Sequence, residues 1–472
     1  MDRSGAPVQN PAAMLFNSQV FILGFLPAVL VVYYALAGSR PWRQGFLVAA
    51  SLIFYGWWDV RFVPLLVGLT LANWGIVRWF AARQALWITT LGVGLNLSVL
   101  GLFKYADFFR ANVFGVLGEP FQPWRLILPL GISFFVFQKI SYLVDLRRGD
   151  RHIYGLLDFS LFVTFFPQLI AGPLVRHNEI IHQFRADPRG PGVWENLGRG
   201  WMLFAIGVAK KVLLADTLQG VADPLFAGAD AATLSSAQAW LAAVAFSLQI
   251  YFDFSGYSDM AIGLARMFGL RLPQNFDAPY RSVSIRDFWR RWHMTLSRFL
   301  RDYLYIPLGG NRAGPWRQAG NVVATMLLGG LWHGASWNFV AWGGLHGLAL
   351  AVQHVWNAHG LKLPKAIGWT LTLLFVTAGW VLFRSPDFTT SDGILRSMAG
   401  FGPGGGVALE PVQWIALAAG AAIAGIGPTG HRFALEQLRP RRWIALPAGI
   451  CLAYVVLLIG GRLPNVFIYF QF

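Results

Sequence analysis

The residue best suited to chemistry in this sequence is His333, which lies in a long uncharged stretch. Residues 318–361 contain no Asp, Glu, Lys or Arg, and His333 stands in the segment 331–334, LWHG. An ionisable side chain in an apolar segment is costly, so it usually has a function or a partner. Imidazole is well suited to general-base work near neutral pH. His333 is therefore a candidate catalytic residue; the alternative is a histidine hydrogen-bonded between helices.

A second histidine, His293, lies in an arginine-rich segment that precedes this stretch. When residues 285–303 are taken as one helix, their apolar side chains form a narrow stripe at the 3.6-residue period, which predicts an amphipathic interfacial helix. His293 falls at the edge of the stripe. It is either a histidine at the membrane interface or a polar group at the mouth of a site. Arg290 and Arg291 would attract an anionic, phosphate-bearing donor, because guanidinium groups bind such groups well.

A third polar feature is the segment 251–259, YFDFSGYSD, which interrupts an apolar run. Asp253 and Asp259 are six positions apart, so one straight helix would turn them to different faces. Gly256 could break the helix between them. A cation site here would have too few ligands. We expect Asp253, Ser255 and Tyr257 to form a polar wall beside a site, the alternative being a helix end at the interface.

The composition predicts an integral membrane protein. The chain of 472 residues is 56% hydrophobic and 13% charged, with a mean hydropathy of +0.50, whereas soluble domains have about 25% charged residues. The net charge of +16 indicates cytoplasmic loops rich in Lys and Arg, and attraction of the protein to anionic lipid. Nucleic acid is a poor partner, because no long basic soluble domain is present. The single cysteine, Cys451, excludes disulfides and a cysteine-based metal site, and we expect no bound metal or cofactor.

The apolar runs predict an all-α polytopic protein with roughly 11 membrane-embedded helices. Runs 126–139 and 159–173 are short and interrupted by proline or glycine, so they resemble broken or re-entrant helices that line a cavity. The run 318–361 is long enough for two short spans or one bent span. Basic loops place the amino terminus outside and the arginine-rich segment in the cytoplasm.

Motifs of the common hydrolases and nucleotide-binding enzymes are missing from the sequence. There is no Gly-x-Ser-x-Gly elbow, no Walker loop and no His-Glu-x-x-His. No serine or cysteine nucleophile has a convincing base. The remaining possibility is a histidine that acts on a substrate hydroxyl.

Several segments together resemble the membrane-bound O-acyltransferase family, in particular its bacterial branch for O-acetylation of alginate and related polysaccharides. They are 14–18 (MLFNS), 166–173 (FPQLIAGP), 253–259 (DFSGYSD), 288–293 (FWRRWH), 300–312 (LRDYLYIPLGGNR) and 331–334 (LWHG). We therefore predict a single acyltransferase domain over 1–472, with a motif-bearing core at 14–350 and additional transmembrane helices at 351–472.

The resemblance implies helices around a central tunnel. The family's nearly invariant histidine matches His333, and its second recurrent polar position matches His293. It also implies a thioester acyl donor, acetyl-coenzyme A or an acyl carrier protein, that approaches from the cytoplasmic side of a bacterial inner membrane. On this interpretation His333 is the general base and His293 orients a reactant, while Trp332, Trp337 and Asn338 shape the wall.

The acceptor stays open at this point. The acetyl group could pass to a hydroxyl of an extracytoplasmic polysaccharide, or to a periplasmic partner transferase that completes the reaction. Within the same class, the alternative is D-alanyl transfer to teichoic acid. A different class is a polysaccharide transporter or channel, although the sequence contains no internal repeat of the kind that many transporters have.

Overall fold

The computed structural model describes residues 14–227, 234–312, 314–438, 442–460 and 467–468. All regular secondary structure in these residues is helical, and they contain no β-strand. The prediction of an all-α protein is confirmed.

The first half of the chain forms helices of uneven length. They are α1 (Leu26–Ala35), α2 (Arg40–Asp59), α3 (Val63–Arg83), α4 (Leu86–Leu100), α5 (Ala106–Leu117), α6 (Ile132–Arg147), α7 (Leu156–Thr164), α8 (Phe166–Leu169), α9 (His177–Ile180), α10 (Val193–Ala209) and α11 (Asp216–Ala227). The run 159–173 is broken, as predicted, because α7 ends before Phe165 and Pro167 lies in the first turn of α8.

The second half contains the longest helix and the segments that carry the two candidate histidines. Its helices are α12 (Ser236–Met267), α13 (Ile285–Arg291), α14 (Met294–Leu300), α15 (Pro315–His333), α16 (Trp337–Ala358), α17 (Lys365–Arg384), α18 (Phe388–Arg396), α19 (Pro411–Gly425) and α20 (Arg442–Gly460).

Several helices are apolar enough to cross a membrane. Among the described residues three helical segments are both long and apolar enough, namely Arg40–Arg83, Leu86–Leu117 and Lys365–Arg384. Shorter apolar helices are Val20–Ala35, Pro411–Gly425 and Gly449–Gly460. The first of the long segments contains α2 and α3, which a 3-10 turn at Val60–Phe62 joins. The chain is thus a helical membrane protein, and the number of crossings stays a prediction.

Helix α12 runs through the centre of the core without a break. It is 32 residues long, and nearly every side chain in its second half is buried. The prediction that Gly256 breaks the helix is wrong. Gly256 instead lets α10 approach closely, since a methyl group on Gly207 would collide with the carbonyl of Gly256. Small residues permit such close contacts between membrane helices.

The uncharged stretch 318–361 forms an antiparallel pair, α15 and α16, joined at 334–336. The stretch therefore forms two helices rather than one bent helix, and their crossing of the membrane stays a prediction. Gly330 and Gly343 face each other where the helices touch: a methyl on Gly330 would collide with the carbonyl of Phe339, and one on Gly343 with the carbonyl of Met326. His333 is the last residue of α15, so this contact fixes its position relative to α16.

Replacing Gly330 with alanine is expected to destabilise the protein, because the methyl group must push α16 away from α15. Overpacking of this kind typically costs about 1–3 kcal/mol. The measurement is thermal unfolding of the purified variant in detergent. Gly320 in the same helix provides the control, since nothing lies within 4 Å of the position of its added methyl. Equal melting temperatures for Gly330→Ala and Gly320→Ala would contradict this account of the contact.

The expected single helix over 285–303 does not form. Helix α13 ends at Arg291, and His293 adopts a left-handed conformation with φ 41° before α14 begins. The segment 275–277 causes the break, because the Met294 amide donates to the Asn275 carbonyl at 2.9 Å and the Asp277 amide donates to the Arg291 carbonyl at 3.0 Å. His293 is therefore fully buried, and its placement at the membrane interface is wrong.

Candidate active site

The His333 ring is enclosed by aromatic side chains from three helices. It is 4% exposed. Its ring centroid lies 4.9 Å from that of Trp332, 5.2 Å from that of Trp342 on α16, and 5.2 Å from that of Phe383 on α17. The Trp342 ring stands perpendicular to the imidazole. Aromatic rings therefore surround the imidazole, and such an enclosure keeps water away from a reacting group.

Trp332 contacts both candidate catalytic histidines. The ring centroids of His293 and Trp332 are 6.1 Å apart, and those of Trp332 and His333 are 4.9 Å apart. The indole is 5% exposed, and its Nε1 has no hydrogen-bond acceptor among the described residues. The structure therefore brings together two histidines that are 40 positions apart in sequence.

The hydrogen bonds around His293 fix its tautomer. Asn275 Oδ1 accepts from the Thr295 amide at 3.3 Å and from the Thr295 hydroxyl at 2.9 Å, so this atom is the amide oxygen. His293 Nδ1 lies 3.1 Å from the same oxygen and must donate to it. The Nε2 atom then carries a lone pair. This atom is buried and has no partner among the residues described, so it is an available acceptor.

A third histidine, His346 on α16, belongs to the same cluster. Its ring centroid is 4.7 Å from that of Trp342, and its Nδ1 accepts from Trp289 Nε1 at 3.2 Å. On one continuous helix, a separation of thirteen residues would place His333 and His346 on opposite faces, so the spacing alone does not identify His346 as part of the site. Both rings contact Trp342 because the chain reverses at 334–336. The Gly-Ala-Ser sequence at this turn was the signal that could have revealed it.

Lys104 is another residue that sequence reasoning missed. It lies between α4 and α5, and its Nζ donates to the carbonyl of Trp332 at 2.5 Å and to that of His333 at 3.1 Å. The hydroxyl of Tyr105 donates to the carbonyl of Leu331 at 2.9 Å. The last carbonyls of a helix lack intrahelical partners and carry partial negative charge. Lys104 therefore holds the end of α15 that carries His333.

The polar residues of α12 contact buried lysines. Asp253 pairs with Lys211 at 2.6 Å and accepts from the backbone amide of Ile468. Ser255 accepts from Lys210 at 3.4 Å. Tyr257 packs its ring against Phe16 and Phe467. They form a buried polar wall, and their role in binding substrate stays a prediction.

The remaining sequence candidates make contacts of their own. The Trp337 ring is 54% exposed and donates to Asn112. Asn338 is buried and donates to the carbonyl of Ser385 at 3.1 Å. Arg290 is exposed, whereas Arg291 pairs with Asp287 at 2.9 Å. The ring contacts described above join His293, Trp332 and His333, and a role of these four residues in binding substrate stays a prediction.

A small cavity, with room for about one water molecule, lies next to the ring of Phe137. Phe137 stacks on Phe299 at 4.2 Å and on Trp332 at 5.6 Å, and both phenylalanines also line this cavity. Its other lining residues are Gln138, Ser141, Leu174, Val175, Arg176, Thr295 and Arg298. Asp302 and Glu179 pair with Arg176 and Arg298 respectively, so the charges lining the cavity are balanced.

Within the part of the chain that the structure describes, no three His, Cys, Asp or Glu side chains are grouped so that they could hold a metal ion. The imidazole and indole groups of the site can supply acid–base and hydrogen-bond chemistry. Two histidines with known tautomers lie close to His333: one presents an acceptor nitrogen, the other a donor.

Comparison with known proteins shows extended similarity. The sequence model of the membrane-bound O-acyltransferase family (MBOAT) matches residues 88–362. The chain is 40% identical over 424 residues to a peptidoglycan O-acetyltransferase of Helicobacter pylori, covering 82% of this chain and 80% of that protein. It is 44% identical over 406 residues to a probable alginate O-acetylase, AlgI, of Pseudomonas putida, covering 82% and 81%. A teichoic acid D-alanyltransferase of Streptococcus thermophilus is 28% identical over 406 residues, covering 82% and 91%.

Proposed function

The chain belongs to the membrane-bound O-acyltransferase family and is an acyltransferase of the membrane, and from this we propose that it moves an acetyl group from a thioester to a polysaccharide hydroxyl. The sequence identities favour acetyl over D-alanyl as the transferred group. The two O-acetylating relatives are 40% and 44% identical to this chain, and the D-alanyltransferase is 28% identical. Membership of an enzyme family sets the transporter interpretation aside.

His333 is the general base of the proposed reaction. It removes the proton from the acceptor hydroxyl as that oxygen attacks the thioester carbonyl carbon. The carbon–sulfur bond then breaks, and the departing thiolate takes the proton from the imidazolium, so that the products are an ester and a thiol. The observation that supports this role is the burial of the imidazole among Trp332, Trp342 and Phe383, where excluded water limits hydrolysis.

His293 orients the acceptor in this proposal. Its Nε2 lone pair is buried and unpartnered among the described residues, so a hydroxyl group can donate to it. Its ring touches Trp332, which in turn touches His333. Trp332 would present its indole N–H to the same reactants.

The donor reaches this site from the cytoplasmic side of a bacterial inner membrane, and it is acetyl-coenzyme A or an acyl carrier protein. Both have a thioester on a flexible arm with a phosphate group. Exposed Arg290 is suited to attract such a donor.

The acceptor is a hydroxyl of an extracytoplasmic polysaccharide, reached directly or through a periplasmic partner transferase. The names of the two O-acetylating relatives support this, one acting on peptidoglycan and the other on alginate. Alkali-labile acetyl esters in the envelope glycans should disappear when the gene is deleted. They should return with the intact gene and not with His333→Ala. Unchanged esters after deletion would refute the proposal.

A further inference from the structure

Two buried nitrogen atoms near His333 face the same glycine on α17. The position of a methyl group on Gly379 would lie 3.4 Å from His346 Nε2 and 3.7 Å from Trp342 Nε1. Both side chains are 1% exposed. Neither nitrogen has a hydrogen-bond partner among the residues that the structure describes.

Both nitrogens are donors. The indole nitrogen of Trp342 carries a hydrogen and cannot accept. His346 Nδ1 accepts from Trp289 Nε1 at 3.2 Å, so the hydrogen of the neutral imidazole must be on Nε2. Two N–H groups are thus directed toward one side of α17 with no oxygen to receive them.

Leaving these two buried donors unpaired is unfavourable in free energy, and other indoles nearby have partners. A buried donor without a partner typically costs about 1–3 kcal/mol. Two other indoles in the same cluster are paired, since Trp289 donates to His346 and Trp380 donates to the hydroxyl of Tyr280 at 3.1 Å. Of the two unpaired donors that face Gly379, that of Trp342 belongs to a ring that contacts the His333 ring.

We propose that Trp342 Nε1 and His346 Nε2 together bind the carbonyl oxygen of the acyl donor and stabilise its negative charge during acyl transfer. This rests on the proposed function. When the acceptor oxygen attacks, the carbonyl oxygen becomes an oxyanion, and two preorganised donors in a dry site hold it most strongly at that moment. The carbonyl reforms as the thiolate leaves, so the donors release no proton and gain none.

The test uses variants that remove one donor and keep the shape of the side chain. Trp342→Phe removes the indole N–H. His346→Asn keeps an acceptor near the Nδ1 position for Trp289 but has no group at the Nε2 position. His346→Gln extends an amide donor to that position. Trp380→Phe is the matched control, because it removes a buried indole N–H that is already paired within the protein.

Rates are measured with labelled acetyl-coenzyme A as the donor probe and membrane vesicles that contain the envelope glycan. Removing one oxyanion donor typically lowers kcat about 10²–10³-fold. We expect a loss of that order for Trp342→Phe and His346→Asn, with little change in the KM for the donor. His346→Gln should recover part of the loss, and Trp380→Phe should stay close to wild type.

Two outcomes would overturn this role while leaving the proposed function intact. One is wild-type kcat in both Trp342→Phe and His346→Asn when His333→Gln is inactive. The other is an equal loss of kcat in all four variants together with lowered melting temperatures, which would mean that the cluster only maintains the fold. Failure of the proposed function would look different, since the wild-type protein itself would then transfer no acetyl group.

Discussion

Replacing His333 with glutamine is expected to abolish acyl transfer without unfolding the protein. Glutamine fills much of the same space between Trp332 and Trp342 and can still form hydrogen bonds, but it cannot take a proton from a hydroxyl. General-base catalysis is typically worth about 10²–10⁴ in rate, so kcat should fall by at least the lower figure. The measurement is the initial rate of acetyl transfer by purified protein in detergent or lipid.

The control for this prediction is His359→Gln. His359 lies just beyond the end of α16 and is exposed, and its ring nitrogen contacts the carbonyl of Val355 in the preceding turn. This variant should keep the wild-type rate. A folded His333→Gln protein with a rate near that of His359→Gln would show that another group accepts the proton.

Breaking the ion pair between Lys210 and Asp259 is expected to cause a large loss of stability. The two side chains are nearly completely buried, and Lys210 Nζ lies 2.6 Å from Asp259 Oδ2. Removing one member of a buried pair leaves an uncompensated charge and costs about 3–5 kcal/mol in soluble proteins. Lys210→Met leaves the Asp259 carboxylate buried without its counter-ion, and Asp259→Asn leaves the Lys210 ammonium group in the same state. Each single variant should unfold at a clearly lower temperature than wild type.

The double variant Lys210→Met/Asp259→Asn separates this explanation from a simple loss of packing. Replacing both members of a buried pair by neutral groups is often close to neutral, so the double variant should recover most of the lost stability. Thermal unfolding of all four proteins in one detergent gives the coupling free energy. If the two single losses simply add in the double variant, the buried charges do not stabilise each other.

The hydrophobic pattern was sufficient to predict the helical membrane architecture. An uncharged stretch as long as 318–361 can only be accommodated as two membrane-length helices or one bent helix, and the glycines around His333 indicated close packing there. The importance of His333 also followed from the sequence, because an ionisable group flanked by apolar residues and glycines in such a stretch is energetically costly.

Features that depend on distant segments could not be predicted in this way. The break at His293 arises from hydrogen bonds to the backbone of 275–277, which the periodicity of 285–303 cannot reveal. Lys104 reaches the end of α15 from more than 200 positions away. Asp253 and Asp259 looked unpaired in sequence, yet Lys211 and Lys210 neutralise them across the contact between α12 and the end of α10.

Acetyl transfer across a reconstituted bilayer tests most directly whether His333 catalyses ester formation inside the membrane. Labelled acetyl-coenzyme A is added outside proteoliposomes that contain sealed oligosaccharides from the envelope of the organism that carries this protein. The account predicts alkali-labile label on the sealed oligosaccharides with the wild-type protein and none above background with His333→Gln. Equal labelling by both proteins would contradict it.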